Sequence, residues 1–481
     1  MNAPILWTAA EVAQATEGAA RGDFVATGVS IDSRTVARGD LFIALSGPNF
    51  DGHAFVQEAF ERGAAGALVS DQGEFGPHQG TVVVNDTFAA LTALGIAGRE
   101  RARARVIGIT GSVGKTGTKD LTARALAALG TVHASTGSFN NHFGLPLTLA
   151  RLAPDTDFAV VEMGMNHAGE LRALTRIARP DIAVVTTIEA VHLEFFKDVA
   201  AIAAAKAEIF EGVTDGGAAI LNRDNASYHQ LATAAQAIGV GQLSGFGEAA
   251  ECDVRLLDFA AVPERNRVTA SVGGKTISYD LAIDGRHWAI NSLAVLAVVQ
   301  VLGGDVPMAA NAMADMTAPE GRGARYRFEL ASGPVDVIDD SYNAGPVSMR
   351  AALAVLSDTK PDPGGRRIAA LGDMLELGPG AARLHADLAP DIARLGIDQV
   401  FTAGPLMEAL FEALPALARG QHAGSADSLI QPLVESLRAG DVVLIKGSHG
   451  SAMHRVVSAL RDFASQDVSA DVWPRAANGD R

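Results

Sequence analysis

Val106-Ile107-Gly108-Ile109-Thr110-Gly111-Ser112-Val113-Gly114-Lys115-Thr116 is the stretch that decides how this chain is read. The apolar run at 106–109 reads as a buried strand, a glycine turn follows, and Lys115-Thr116 opens a helical stretch. Glycines let successive backbone N–H groups converge on phosphate oxygens. The helix N-terminus adds its dipole, Lys115 a point charge, and the Thr116 hydroxyl a ligand for Mg²⁺. A strict P-loop has glycine at position 109; Ile109 stands there, so the match is to the shorter form Gly-x-x-Gly-Lys-Thr. The bland alternative is an ordinary strand-to-helix turn. With both glycines, the lysine and the threonine in place after a strand, phosphate binding is the better reading.

Outward from this loop the strand rhythm continues. Apolar runs at 158–161, 182–187 and 218–221 alternate with helical stretches, which predicts a mostly parallel sheet with helices on both faces. Val268, Ala270 and Val272 alternate with polar residues, Gly273-Gly274 follows, and Ile277, Tyr279 and Leu281 alternate again, a hairpin late in this region. Upstream, strands are expected at 29–31, 41–45, 67–70 and 81–84 and a helix at 54–63. A charged connector spans 99–105. Downstream, 317–323 reads as a second linker, before strands at 335–338, 368–371, 400–402 and 442–445. The expected class is α/β in three domains: 1–104, a small α/β unit; 105–318, a central P-loop ATPase-like unit; and 319–465, a Rossmann-like unit. A frayed tail takes 466–481.

Composition bounds the partners. The 481 residues are 48% hydrophobic and 20% charged, enough to bury several cores. Net charge is 39 − 55 = −16, which disfavours a nucleic-acid backbone. The single cysteine, Cys252, excludes an intramolecular disulfide and a Cys-rich zinc site. No apolar run reaches the ~18–20 residues of a membrane span, and the N-terminus lacks the basic flank of a signal peptide. A cytoplasmic, non-membrane protein is expected.

Three further side chains stand out. Glu162 directly follows the run 158–161, as a metal ligand beside the phosphate loop or as a surface charge. His192 follows the strand at 182–187 by a few residues, on the same sheet edge. In the helix expected over 200–212, Ile202, Lys206, Ile209 and Phe210 share one face. Lys206 then either snorkels to solvent or is desolvated, lowering its pKa by up to ~3–5 units. A neutral amine can add CO₂ to give a carbamate.

Together these motifs resemble the Mur ligase family over roughly residues 25 to 460. Asp32-Ser33-Arg34, Gly39-Asp40-Leu41-Phe42 and Asp51-Gly52-His53 resemble its uridine-nucleotide-binding domain. Ser138-Phe139-Asn140-Asn141, Gly144-Leu145-Pro146, Glu162-Met163-Gly164 and Gly169-Glu170 resemble the central domain of the branch that adds D-alanyl-D-alanine. Asp339-Asp340-Ser341-Tyr342-Asn343-Ala344, Leu371-Gly372-Asp373-Met374-Leu375-Glu376-Leu377-Gly378 and Lys446-Gly447-Ser448 resemble the last domain of that branch.

The resemblance implies ATP-driven joining of D-alanyl-D-alanine to UDP-N-acetylmuramoyl-tripeptide through an acyl phosphate, a step of peptidoglycan synthesis; with no obvious association segment in the chain, a monomer is expected. It implies that Gly111, Ser112, Val113, Gly114, Lys115, Thr116 and Gly117 hold the ATP phosphates. It gives Asn291 the adenine, Asp340 the ribose and Arg322 the phosphates, with Arg325 an alternative alignment. Thr116 and Glu162 would hold one Mg²⁺, His192 and carbamylated Lys206 a second. Ser33, Arg34, Asp51, His53, Asn140, Asn141, Tyr342, Asn343, Lys446 and Ser448 would contact the two substrates. Two positions depart from the family pattern: Thr187, where asparagine is usual, and Gly117, where serine or threonine is common. A folylpolyglutamate synthetase would share the loop and the lysine but not the first domain. A P-loop switch would lack two ligand-sized flanking domains.

Overall fold

The computed structural model describes residues 4–47, 50–70, 79–137, 139–191, 193–261, 265–467 and 471–472. Three large sheets organise them. The first, in spatial order, is Ala19–Arg21, Gly80–Val83, Gly66–Val69, Asp40–Ile43 and Gly28–Ser30, parallel except for its first pair. The helix expected over 54–63 is split into a 3₁₀ turn, Gly52–Phe55, and an α-helix, Val56–Glu61. The expected charged connector is mostly regular structure. Arg99 and Arg101 end the helix Thr87–Arg101 and Arg105 opens the next strand, leaving only 102–104 between them.

The central sheet has nine strands. Seven run parallel, in the order Val132–Ala134, Phe158–Glu162, Arg105–Thr110, Ile182–Val185, Ala218–Asn222, Gln242–Gly247 and Val254–Ala261. The expected hairpin, Asn266–Val272 with Lys275–Leu281, is appended antiparallel. Val254–Ala261, which joins it to the parallel part, was not anticipated. Burial on both faces follows the two-residue period. Ile107 and Ile109 pack with the helices Lys115–Leu126 and Arg286–Val301 on one side; Val106 packs with Glu170–Ala178 and Val199–Ala207 on the other.

Residues 313–323 contain no regular element and lead to the third sheet. Its five parallel strands are Arg419–Ala423, Gln399–Ala403, Arg367–Gly372, Val442–Lys446 and Gly333–Asp340, with Ala324–Leu330 added antiparallel to the last. Within 466–481, expected as a frayed tail, the described residues are 466–467 and 471–472. The last helix, His454–Asp467, passes residue 466, and Asp471–Val472 pair with Tyr326 and Arg327. No helix among the described residues is long and apolar enough to cross a membrane.

Candidate active site

The C-terminal ends of the central parallel strands meet at one edge, where open α/β sheets place their ligands. Arg105–Thr110 ends in the glycine turn, and its residue Ile109 lies in register beside Glu162. The strand therefore continues through the position where a strict P-loop has glycine. Gly111 has φ +148°, and a Cβ there would collide with Thr186 Oγ1. Only glycine fits this approach. Two bonds pin the turn to the next strand end: Ser112 N–H donates to Thr187 O at 2.8 Å, and Thr186 Oγ1 donates to Val113 O at 2.6 Å.

The chemical centre follows from this frame. Thr116 Oγ1 donates to Glu162 Oε2 at 2.7 Å, and Asn140 Nδ2 donates to Glu162 Oε1 at 2.7 Å. Glu162 is buried, so both carboxylate oxygens are aimed by fixed partners. Lys115 Nζ turns back on its own loop, donating to Gly111 O at 2.8 Å. Burial holds this ammonium below its ordinary pKa, against the opposing pull of Glu162. Arg322 carries its guanidinium 4.0 Å over the Tyr342 ring. From the third sheet, Lys446 Nζ donates to Asp340 Oδ2 at 2.6 Å and to Asn343 O at 2.9 Å. Burial raises the Asp340 pKa while Lys446 lowers it.

These groups line one cavity of about 1020 Å³ between the sheets. It gathers Ser112 to Gly117, Asn140, Asn141, Glu162, Asn291, Arg322, Asp340, Tyr342, Asn343 and Lys446 from distant parts of the chain. Asn291 reaches the loop, its Oδ1 3.1 Å from where a Cβ on Gly114 would stand. Ser448 stays outside the lining; its hydroxyl accepts Leu375 N–H at 2.9 Å and donates to Ala344 O at 3.2 Å, bracing the two loops. His192 lies outside the described residues.

Lys206 decides between the two sequence readings in favour of desolvation. The expected helix ends early, at Ala207, and continues as a 3₁₀ turn, Glu208–Gly212. Lys206 is 1% exposed and does not snorkel. Burial first, and repulsion from Lys115 second, push its pKa well below the usual lysine value. Among the described residues it has no hydrogen-bond or ion-pair partner.

The four residues expected to hold the uridine end lie outside that cavity, in the 3₁₀ turns Ser33–Thr35 and Gly52–Phe55 and the short strand Phe50–Asp51. His53 Nδ1 meets Asp51 Oδ1 at 2.6 Å, and Ser70 N–H donates to His53 Nε2 at 2.8 Å. This fixes an Nδ1–H tautomer and draws the Asp51 pKa down to about 2. Ser33 Oγ donates to Glu58 Oε2 at 3.2 Å, while Arg34 is exposed and pairs with Asp32.

Sequence reasoning missed Thr186, Trp288, His287 and Lys119. The first three line the cavity. His287 is exposed where it lines the cavity. Lys119, one turn beyond Lys115, donates to Ser135 O at 2.8 Å and Gly137 O at 3.1 Å, tethering the loop that presents Asn140. Its place one turn into the phosphate-loop helix was the available signal.

Known proteins match all three parts. Residues 25–106 match the Mur ligase family, catalytic domain; 109–299 the Mur ligase middle domain; and 326–449 the Mur ligase, glutamate ligase domain. The chain belongs to the Mur ligase family. A UDP-N-acetylmuramoyl-tripeptide–D-alanyl-D-alanine ligase of Rickettsia prowazekii is 35% identical over 429 residues, 89% of this chain and 94% of that one. The Escherichia coli protein of the same name is 34% identical, over 92% of this chain and 95% of its own. Among solved Mur ligase structures, MurF from Acinetobacter baumannii superimposes with a TM-score of 0.81 at 28% identity, covering 95% of this chain and 99% of that one. MurF ligase from Thermotoga maritima in complex with ADP gives 0.75 at 25% identity, covering 91% and 98%.

Proposed function

We propose that this Mur ligase uses ATP to join D-alanyl-D-alanine to UDP-N-acetylmuramoyl-tripeptide. The observation that carries the reading is the single cavity in which the phosphate loop and Glu162 face Asp340, Asn343 and Lys446 of the third sheet. Relatives with this named activity match nearly end to end.

A carboxylate is a poor electrophile because its leaving group would be oxide. Transfer of the ATP γ-phosphoryl group to the tripeptide carboxylate gives an acyl phosphate and ADP. Attack of the dipeptide amine on the acyl carbon then expels phosphate and, with loss of a proton, leaves the amide. Loop N–H groups and Lys115 stabilise charge on the phosphates. Asn291 and Asp340 take the adenosine, and Arg322 reaches the phosphates from the linker. Ser33, Arg34, Asp51 and His53 hold the uridine end. Asn140, Asn141, Tyr342 and Asn343 line the acceptor side.

The donor set at Thr116 and Glu162 suits Mg²⁺: hard oxygens from one hydroxyl and one carboxylate, 2.7 Å apart. No cluster of three His, Cys, Asp or Glu side chains occurs among the described residues. That sparse set fits an ion which keeps waters and substrate phosphates as its other ligands. When bound, Mg²⁺ neutralises charge between carboxylate and triphosphate. A neutral Lys206 amine would add CO₂, forming an N–C bond and releasing a proton, to give a carbamate beside Lys115. The same reading makes the enzyme a cytoplasmic monomer acting on soluble substrates.

The test is phosphate release with ATP, Mg²⁺, UDP-N-acetylmuramoyl-tripeptide and D-alanyl-D-alanine, omitting each in turn and weighing the product. Release is expected only with all four, with a UDP-linked pentapeptide formed. Release without the dipeptide, and no amide product, would make the protein a hydrolase or switch.

A further inference from the structure

Gly117 is the third residue of the phosphate-loop helix, where glycine costs about 1 kcal/mol relative to alanine. What stands opposite explains it. A Cβ on Gly117 would lie 2.6 Å from Cη2 and 2.7 Å from Cζ3 of Trp288, a rigid ring edge on the facing helix Arg286–Val301. Trp288 is buried and lines the same cavity as the loop, and its neighbours Ala289 and Leu293 are locked in the core. Its indole N–H has no acceptor among the described residues. It is not one of the sealed, unpartnered polar atoms, so it is open to a ligand in the cavity.

We propose that Trp288 is a nucleotide-positioning residue matched to Gly117: its ring edge sets the seat of the helix turn carrying Lys115 and Thr116, and its N–H is a donor kept for the bound nucleotide. The departure at 117 is then half of a complementary pair. A side chain at 117 would push the turn off the ring and misplace the phosphate contacts. The inference rests on reading the cavity as an adenine-nucleotide site.

The experiment is calorimetric titration of the full chain with ADP and Mg²⁺, and separately with the UDP-linked acceptor. The variants are Gly117→Ala, Trp288→Leu and the double substitution. Gly117→Ala is expected to weaken ADP by about ten-fold, as overpacking against a rigid ring does. Trp288→Leu is expected to weaken ADP several-fold by removing wall and donor. Neither changes acceptor affinity. The double variant is expected to bind ADP more tightly than Gly117→Ala alone, because the collision is gone; such coupling is the signature of a contacting pair. Unchanged ADP affinity in Trp288→Leu, or a double variant no better than Gly117→Ala, would overturn the inference while the nucleotide reading stands. A wild-type chain that binds no ADP would overturn both.

Discussion

Lys206 and Lys446 are equally hidden, 1% and 2% exposed, yet their surroundings are opposite. Lys446 meets the Asp340 carboxylate at 2.6 Å and the Asn343 carbonyl at 2.9 Å. Lys206 meets repulsion from Lys115 and no partner among the described residues. A buried charge is tolerated when it is paired and hydrogen-bonded, and otherwise the group becomes neutral. Lys446 is therefore a strut that gives two of its three donors to Asp340 and to the Asn343 carbonyl at the cavity wall. Lys206 is an amine whose protonation is disfavoured by burial and by Lys115. Burial alone does not distinguish structure from chemistry; compensation does.

The largest effect that can break this contrast is on stability. Lys446→Met leaves the half-buried Asp340 carboxylate without its hydrogen-bonded partner and is expected to cost about 3 kcal/mol, the low end for a broken buried pair, read from the shift of the denaturant midpoint. Adding Asp340→Asn should restore most of that loss, since a neutral amide needs no counter-charge. A midpoint unmoved by Lys446→Met would show that the pair is not the strut described here.

Lys206→Met should do the reverse. It replaces an unpaired amine with an apolar chain of similar length, so the midpoint should hold or rise. Ligation should fall by about 10²-fold or more, the scale of losing one charged group from a phosphoryl-transfer site. NMR with ¹³C-labelled bicarbonate should show a carbamate signal in the wild type that this variant lacks. If activity survives and no signal is lost, Lys206 is only a poorly solvated packing residue.

These contrasts explain what the sequence could disclose. The loop 106–116 is contiguous, so its residue types and order carried strand, turn and helix together. Glu162 was legible because it closes an apolar run; its register beside Ile109 then places it at the loop. The helical stripe put Lys206 on an apolar face, but whether a partner awaited it depends on elements far away in the chain. The Lys446–Asp340 bond joins residues 106 apart and has no local signature. The fit of Trp288 to Gly117 is likewise a meeting of two helices, visible beforehand only as an unexplained glycine. The split helices at 52–61 and 199–212 show the usual limit at element ends, where capping decides the boundary.

The smallest effect concerns a third buried ionisable group. His385 is fully buried, accepting Met374 N–H at Nε2, 2.9 Å away, while Nδ1 meets Ala381 O at 2.7 Å. It fixes the start of the loop whose next residue, Leu375, docks on Ser448. Like Lys206 its charged form is disfavoured by burial, and like Lys446 it is hydrogen-bonded, here through both ring nitrogens. Burial lowers its pKa below the usual 6.5 of histidine, against the raising pull of the Ala381 carbonyl. With the folded pKa below the unfolded one, the stabilisation is complete above about pH 6.5 and is lost as pH falls towards the folded value. Protonation takes away the acceptor that Met374 N–H needs. His385→Leu should therefore lower stability at pH 7.5 by about 1–3 kcal/mol, the cost of an orphaned buried amide. The gap between wild type and variant should narrow as the pH drops to 5, because only the wild type loses a neutral imidazole. A gap that stayed constant from pH 7.5 to 5 would place His385 with ordinary packing residues, leaving compensation by neutral hydrogen bonds without support at this site.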